Sequence, residues 1–340
     1  MPNVDTTLTG GSIERMAESA RRAEELGFAG LVTAEASHEP YLPLMIAAEH
    51  TRELSLLTGI AVAFPRSPMI TAHTAWDLQR YSRGRFLLGL GTQVKGHNER
   101  RFSGPWGRPG PRLRELIVAM RAIWDCWQNG TPLDHRGEFY RFDLMTPFFS
   151  PGPLTCPPPE VWIAGVNRYM CRLAGELCNG FHVHPMHTVR YVNEFVRPLI
   201  AEGAASAGRD PADVSLASAC FVVTGSNDEE MARAAALVKQ QISFYASTRS
   251  YRPILELHGW EEISPRLNEL SRQGRWDAMG DLITDEMLAE FAVIGRREDI
   301  GALLHEKYDR VLDRIALYTA FTPGEDDDWW QDIVRTVSRR

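Results

Sequence analysis

The stretch Gly84-Arg85-Phe86-Leu87-Leu88-Gly89-Leu90-Gly91-Thr92-Gln93 predicts a buried strand that follows a turn and ends in a glycine-containing loop. Other short β-rich runs precede and follow it, and amphipathic helical segments separate them, which is the pattern of a parallel sheet. The predicted strands are residues 4–8, 29–34, 54–63, 85–90, 161–164, 180–184, 214–224 and 314–318. Strands that alternate with helices in this way favour an α/β fold of the (β/α)8 TIM-barrel type over an open doubly wound sheet.

Three segments interrupt this alternation. We predict a single barrel domain over residues 1–340, with insertions at about 91–111, 131–160 and 244–290. The first is predicted to be an irregular loop, the second a small hairpin followed by proline-rich extended chain, and the third helical. An acidic run at 325–328 precedes a last amphipathic segment, and the helix dipole favours acidic residues at a helix start. This run therefore predicts a helix start and not a metal site.

Composition narrows the class of protein. The 340 residues include 37 basic and 44 acidic side chains, for a formal charge of −7, without a lysine- or arginine-rich tract. This balance argues against nucleic acid or anionic lipid as the main partner. The sequence contains no apolar run long enough to span a membrane and no signal-peptide pattern at its start. The five scattered cysteines form no C-x-x-C pair, which predicts a reducing, cytoplasmic location.

In a TIM barrel the chemistry lies at the carboxyl ends of the strands. Glu35 and His38 follow the second predicted strand, and His182-x-His184-x-x-His187 ends the sixth. His182 and His184 share one face of their strand. Together with Glu35 they could bind zinc or iron, which leaves a metal-dependent barrel hydrolase open as an alternative. Such imidazoles also bind a phosphate or the polar edge of a ring.

The glycines of the fourth strand form only part of a dinucleotide-binding fingerprint. In Gly89-x-Gly91-x-x-Val94 the third glycine is absent, and a long loop follows instead of a helix. A Rossmann site is therefore a poor interpretation. The glycines either let the strand turn or let its backbone approach a flat ligand.

Several segments, taken in order, resemble the luciferase-like monooxygenase superfamily, and in particular its F420-dependent oxidoreductases. They are residues 23–31 followed by Glu35, then 59–68, 84–93, 98–102, 161–165, 173–176 and 179–180. The resemblance covers most of residues 4–204. It implies a luciferase-like barrel that holds a flavin-type ring across its carboxyl-terminal mouth, with deazaflavin coenzyme F420 as the cofactor and FMN as the alternative.

The resemblance also implies site residues. Glu35 would lie near the polar edge of the ring, and a non-prolyl cis peptide between Ala61 and Val62 would press backbone against it. Further cofactor contacts are expected from Thr92, Gln93 and Asn98, from the backbone of Gly165, Val166 and Asn167 toward a phosphate, and from His184 and His187. The family often has a histidine directly after the strand-two acid, where this chain has Ala36. His38 or His182 would then supply the proton beside Glu35.

The implied reaction is hydride transfer between C5 of the deazaflavin and a carbon of a small organic substrate. Predicted aromatic lining from Phe64, Trp106, Phe148 and Phe149 indicates a hydrophobic substrate. An FMN-dependent monooxygenase and a non-catalytic flavin-binding homologue remain open beside the metal-dependent hydrolase. Homologues commonly dimerise, so we expect a homodimer that is formed through the second and third barrel helices.

Overall fold

The computed structural model describes residues 1–8 and 13–338. The strands of this part of the chain are β1 (Asn3–Leu8), β2 (Gly30–Ala34), β3 (Ser55–Val62), β4 (Phe86–Gly91), β5 (His135–Arg136), β6 (Arg141–Phe142), β7 (Glu160–Gly165), β8 (Gly180–Val183), β9 (Ser215–Val223), β10 (Ala292–Ile294) and β11 (Arg314–Leu317). Eight of them pair in parallel in the order β9-β11-β1-β2-β3-β4-β7-β8, and pairing of β8 with β9 closes the ring. The predicted (β/α)8 TIM barrel is thus confirmed.

Among the described residues, one strand of the same sheet, β10, lies outside this ring, and β5 and β6 form a separate two-stranded sheet. β10 pairs in parallel with residues 221–223 at the end of β9, whereas β11 pairs with residues 217–220 of the same strand. Because β9 is nine residues long, it extends beyond its barrel partner and offers a free edge to β10. The short apolar run at 291–295 in the sequence accounts for this strand.

The helices are α1 (Met16–Glu25), α2 (Tyr41–His50), α3 (Pro68–Tyr81), α4 (Lys95–Arg100), α5 (Pro109–Asn129), α6 (Arg168–Leu177), α7 (Val189–Tyr191), α8 (Arg197–Ser206), α9 (Asp228–Ala246), α10 (Arg252–His258), α11 (Ile263–Arg272), α12 (Asp285–Phe291), α13 (Ile300–Tyr308) and α14 (Asp327–Val337). A π-helical turn at Val192–Val196 joins α7 to α8. Ser67 caps α3 by accepting the N–H of Ile70, with Pro68 at the first helical position. Asp327 and Asp328 occupy the first turn of α14, which confirms that the acidic run starts a helix.

The three insertions differ from one another. The first contains the six-residue helix α4, so the prediction of an irregular loop is partly wrong. A helix this short has too few residues to show a hydrophobic period. The second begins with the antiparallel β5–β6 hairpin, as predicted. The third contains α10, α11 and most of α12, which confirms the helical insertion.

A buried ion pair joins the first and last strands of the barrel. Arg314 donates from Nη2 to Asp5 Oδ1 at 2.6 Å and from Nε to Asp5 Oδ2 at 2.8 Å. The side chains are 11% and 3% exposed, respectively. Two parallel charge-assisted hydrogen bonds fix both groups, so this pair helps to hold β1 beside β11 where the ring closes. Among the described residues, no helix is long and apolar enough to cross a membrane.

Candidate functional site

A cavity of about 490 Å³ opens at the carboxyl-terminal mouth of the barrel, and all eight barrel strands contribute to its lining. This volume is within the range of small-molecule sites. Much of the wall consists of glycine and alanine: Ala34, Gly59, Gly91, Ala164, Gly165, Ala217, Ala219 and Ala316. Small residues leave room between opposite walls, and apolar walls suit the faces of an aromatic ring. The cavity therefore fits a flat, largely apolar group.

The end of β3 forms one wall of the cavity, and its peptide bonds are all trans. Every peptide bond between described residues is trans, so the predicted cis bond at Ala61–Val62 is wrong. The pairing register instead shifts along β3, between Leu57 and Ala61 against β4. A register shift of this kind is typical of a β-bulge, which bends a strand without the roughly 3 kcal/mol that a cis bond costs. Ala61 and Val62 are buried, whereas Gly59 and Ile60 line the cavity.

The two glycines of β4 have different roles. A Cβ added at Gly89 would lie 1.9 Å from the backbone oxygen of Thr58. The Thr58 hydroxyl also donates to Gly89 O at 2.8 Å and accepts from Gly89 N at 2.7 Å. Gly89 is therefore needed for close strand packing, and only Gly91 lines the cavity.

Glu35 lies beside the cavity and is held firmly. Its carboxylate accepts hydrogen bonds from Val62 N–H at 2.7 Å and from two nitrogens of Arg66 at 2.8 and 3.1 Å. The side chain is buried and is not part of the cavity lining. Glu35 thus fixes the end of β3, and its direct contact with a cofactor remains a prediction. His38 is exposed and does not line the cavity.

The loop after β4 supplies Thr92 and Gln93 to the lining. Gln93 has a φ of 55°, which is an uncommon conformation for a non-glycine residue. The buried amide of Asn98 donates to Thr92 O at 2.9 Å and to Val94 O at 3.1 Å. Asn98 therefore holds the loop in place through these two hydrogen bonds. It does not line the cavity, so its direct contact with a cofactor remains a prediction.

The amino terminus of α6 begins at the cavity rim. Gly165 and Val166 line the cavity, and Asn167 caps the helix by accepting Met170 N–H at 3.0 Å. The amino terminus of a ten-residue helix presents N–H groups and a positive dipole end, which attract an anion. The donor set at this rim fits the phosphate of a cofactor beside a cavity that fits its ring.

The three histidines in and after β8 are separated by the structure: His182 lies within the strand, and His184 and His187 follow it. His182 and His184 line the cavity, whereas His187 is buried behind it. The Nδ1 atom of His187 lies 3.0 Å from His184 O and 3.2 Å from the hydroxyl of Ser218. Burial lowers the pKa of His182 to about 4, of His184 to about 3 and of His187 to about 4. All three imidazoles are therefore neutral at pH 7.

These lowered pKa values predict an acid-sensitive fold. An unfolded histidine has a pKa of about 6.5, so between pH 6.5 and 4 the unfolded chain binds more protons than the folded chain. The free energy of unfolding therefore falls as the pH falls, by up to about 1.4 kcal/mol per pH unit for each histidine. We expect His187→Asn, whose amide can replace the Nδ1 donor, to reduce this slope by about 1 kcal/mol per unit. Urea unfolding at pH 6 and pH 5 measures it, and equal slopes in both proteins would contradict the expectation.

The proposed metal ligands do not form a metal site. Both ring nitrogens of His184 have partners, Met186 N–H at 3.1 Å and the hydroxyl of Tyr251 at 2.9 Å. The carboxylate of Glu35 is bound to Arg66. Over residues 1–8 and 13–338, no group of three or more histidine, cysteine, aspartate or glutamate side chains is arranged to hold a metal ion.

The aromatic lining predicted from the sequence is wrong. Phe148 and Phe149 are 89% and 65% exposed, and Phe64 packs against Trp106 away from the cavity. The aromatic side chain that sequence reasoning missed is Tyr251, which the third insertion brings to the mouth.

Sequence reasoning also missed the floor of the cavity, which includes Asp5, Thr7 and Arg314. The sequence contains a usable signal for the Asp5–Arg314 ion pair. Asp5 lies in the first predicted buried strand and Arg314 in the last, and charged residues are rarely buried unless they are paired. Tyr251 gave no such signal, because it lies in the helical insertion, where no alternation of apolar and polar residues predicts which side chains face the cavity.

Comparison with known proteins places this architecture in a family. A model of the luciferase-like monooxygenase family matches residues 2–314, and the chain belongs to that family. An uncharacterized protein of Mycobacterium tuberculosis is 48% identical over 303 residues, which cover 89% of each chain. A 5,10-methylenetetrahydromethanopterin reductase of Methanolobus tindarius is 26% identical over 317 residues, which cover 92% of each chain.

Solved structures show the same fold with two kinds of cofactor. The coenzyme F420-dependent tetrahydromethanopterin reductase of Methanopyrus kandleri superposes with a TM-score of 0.76 at 18% identity, covering 99% of this chain and 98% of its own. The oxygenating constituent of 3,6-diketocamphane monooxygenase from Pseudomonas putida, in complex with FMN, has a TM-score of 0.66 at 15% identity, covering 99% and 96%. Relatives therefore include F420-dependent reductases and FMN monooxygenases.

Proposed function

We propose that this protein is an oxidoreductase that transfers a hydride between deazaflavin coenzyme F420 and a small, hydrophobic organic substrate. The observation that carries the proposal is the roomy, small-residue cavity at the barrel mouth with the α6 amino terminus at its rim. Membership of a family with F420-dependent relatives supports the same function.

The chain's own groups would hold such a cofactor in two places. The ring would lie between the glycine and alanine walls, beside Thr92 and Gln93. The phosphate would lie at the start of α6, where Gly165 and Val166 border the cavity. When it is bound in the reduced form, F420 supplies a hydride from C5 of its ring. The protein then has to position the substrate carbon, exclude water and supply or accept one proton.

The apolar wall also bears on the substrate. Asp5 and Arg314 neutralise each other at the floor, and the histidines at the mouth are uncharged. A strongly charged substrate would lose its hydration on entering the cavity and would meet no unpaired opposite charge among the lining residues. Burying its charge in this way costs several kcal/mol or more. This supports a neutral substrate that buries mainly apolar surface.

An FMN-dependent monooxygenase is the second candidate, and an FMN-containing relative of the same fold favours it. The two candidates differ in the cofactor and in the reaction with oxygen. A reduced deazaflavin donates hydride and reacts poorly with oxygen, whereas reduced FMN reacts with it readily. Cofactor choice therefore separates a reductase or dehydrogenase from an oxygenase.

Parallel titrations with F420 and FMN test the proposal. The purified protein is titrated with each cofactor, and binding is followed by the change in cofactor fluorescence. We expect F420 to bind at least tenfold more tightly than FMN. Selective binding of FMN would favour the oxygenase, and binding of neither would overturn both candidates.

A further inference from the structure

Tyr251 and His184 meet at the cavity from different parts of the chain. His184 follows β8, whereas Tyr251 lies in the helical insertion just before α10. The Tyr251 hydroxyl lies 2.9 Å from His184 Nε2, and their ring centroids are 4.6 Å apart. Both side chains line the cavity.

The direction of this hydrogen bond follows from the other side of the imidazole. The backbone N–H of Met186 donates to His184 Nδ1 at 3.1 Å, so Nδ1 carries no hydrogen. Burial lowers the pKa of His184 to about 3, which keeps the ring neutral, and a neutral ring carries its one hydrogen on Nε2. His184 Nε2–H therefore donates to Tyr251 Oη. If Tyr251 were the donor instead, the ring hydrogen of His184 would be on Nδ1 and would face the Met186 N–H, so that two donors would meet.

The hydroxyl hydrogen of Tyr251 is thus left for another acceptor. Among the described residues, no acceptor takes it. The neighbouring Tyr245 is different, because its hydroxyl pairs with that of Tyr318 at 2.7 Å. Burial raises the pKa of Tyr251, so this hydroxyl keeps its proton across the physiological range. A neutral O–H group at a cavity wall, backed by an imidazole N–H, suits the oxygen of a bound molecule.

We propose that Tyr251 is the proton donor to a carbonyl oxygen of the substrate, and that His184 is the residue that positions it. The inference rests on the proposed function, since the reductant is the reduced deazaflavin. Hydride adds to the carbonyl carbon, the C=O π electrons move to oxygen, and the oxygen takes the proton from Tyr251 Oη. The resulting tyrosinate accepts the His184 Nε2–H hydrogen bond until water returns the proton. The reverse reaction oxidises an alcohol through the same groups.

The test compares a ketone with its hydrocarbon analogue. Cyclohexanone and methylenecyclohexane have nearly the same shape, but only the ketone accepts a hydrogen bond. Dissociation constants are measured by NMR titration of cofactor-free wild type, Tyr251→Phe and the matched control Tyr245→Phe. We expect the ratio of ketone affinity to hydrocarbon affinity to be the same in wild type and Tyr245→Phe, and to be about tenfold lower in Tyr251→Phe. An unchanged ratio in Tyr251→Phe would overturn the proposal.

A second readout examines His184 directly. The ¹⁵N chemical shifts of its ring are expected to show an unprotonated Nδ1 and a protonated Nε2 at pH 7. The opposite tautomer would overturn the inference. Neither measurement needs F420. If F420 failed to bind, the proposed function would be rejected, and the hydrogen bonding of Tyr251 and His184 would still be decided by these two measurements.

Discussion

Replacing Asp5 by asparagine is expected to lower the free energy of unfolding by about 3–5 kcal/mol, since it leaves a buried arginine without its counter-charge. The Asp5 and Arg314 side chains are only 3% and 11% exposed, so water at the cavity floor replaces little of the lost carboxylate's interaction. Burial raises the pKa of Asp5 even though Arg314 lowers it, which indicates that desolvation of the pair is costly. The pair therefore gives little net stability, and breaking it costs much.

The control for this prediction removes both charges. Asp5→Leu combined with Arg314→Met replaces the pair by apolar side chains of similar size, and such replacements are often neutral. We expect the double variant to unfold within about 2 kcal/mol of the wild type in urea. If Asp5→Asn alone is as stable as wild type, the pair is not a buried, mutually dependent unit.

Ala34→Trp is expected to weaken F420 binding by about 100-fold, which corresponds to about 2.8 kcal/mol. Ala34 ends β2 at the mouth and lines the cavity, and its side chain is exposed, so the larger ring fits without displacing the core. The indole would fill the space that the proposal assigns to the deazaflavin. Fluorescence titration of F420 into the variant measures the change.

Ala212→Trp is the matched control. Ala212 lies just before β9, at the end of that strand opposite the mouth, is also exposed and does not line the cavity. We expect this variant to bind F420 as tightly as wild type. Equal affinities for Ala34→Trp and wild type would show that F420 binds outside the cavity.

The barrel could be predicted because its signals are local. Each buried parallel strand is a short apolar run between turn residues, and the helices between strands have their own period. The strand β4 differs from its predicted bounds by one residue at each end. Residues next to strand ends, such as Thr92 and His184, were placed at the mouth by the same reasoning.

The remaining features depend on contacts between distant segments. Tyr251 and His184 are 67 positions apart in the sequence, and no hydrophobic periodicity predicts that they are in contact. The cis bond was wrong because the resemblance to the family does not reveal how β3 bends; here register shifts and the Glu35 carboxylate hold it. The aromatic lining was wrong because aromatic composition alone does not determine which way a loop side chain faces.

A crystal structure of the protein grown with saturating F420 tests the central claim most directly. The account predicts electron density for the deazaflavin ring inside the barrel-mouth cavity, with the phosphate at the amino terminus of α6. Density for the ring at any other place, or an empty cavity in crystals that contain bound F420, would contradict it.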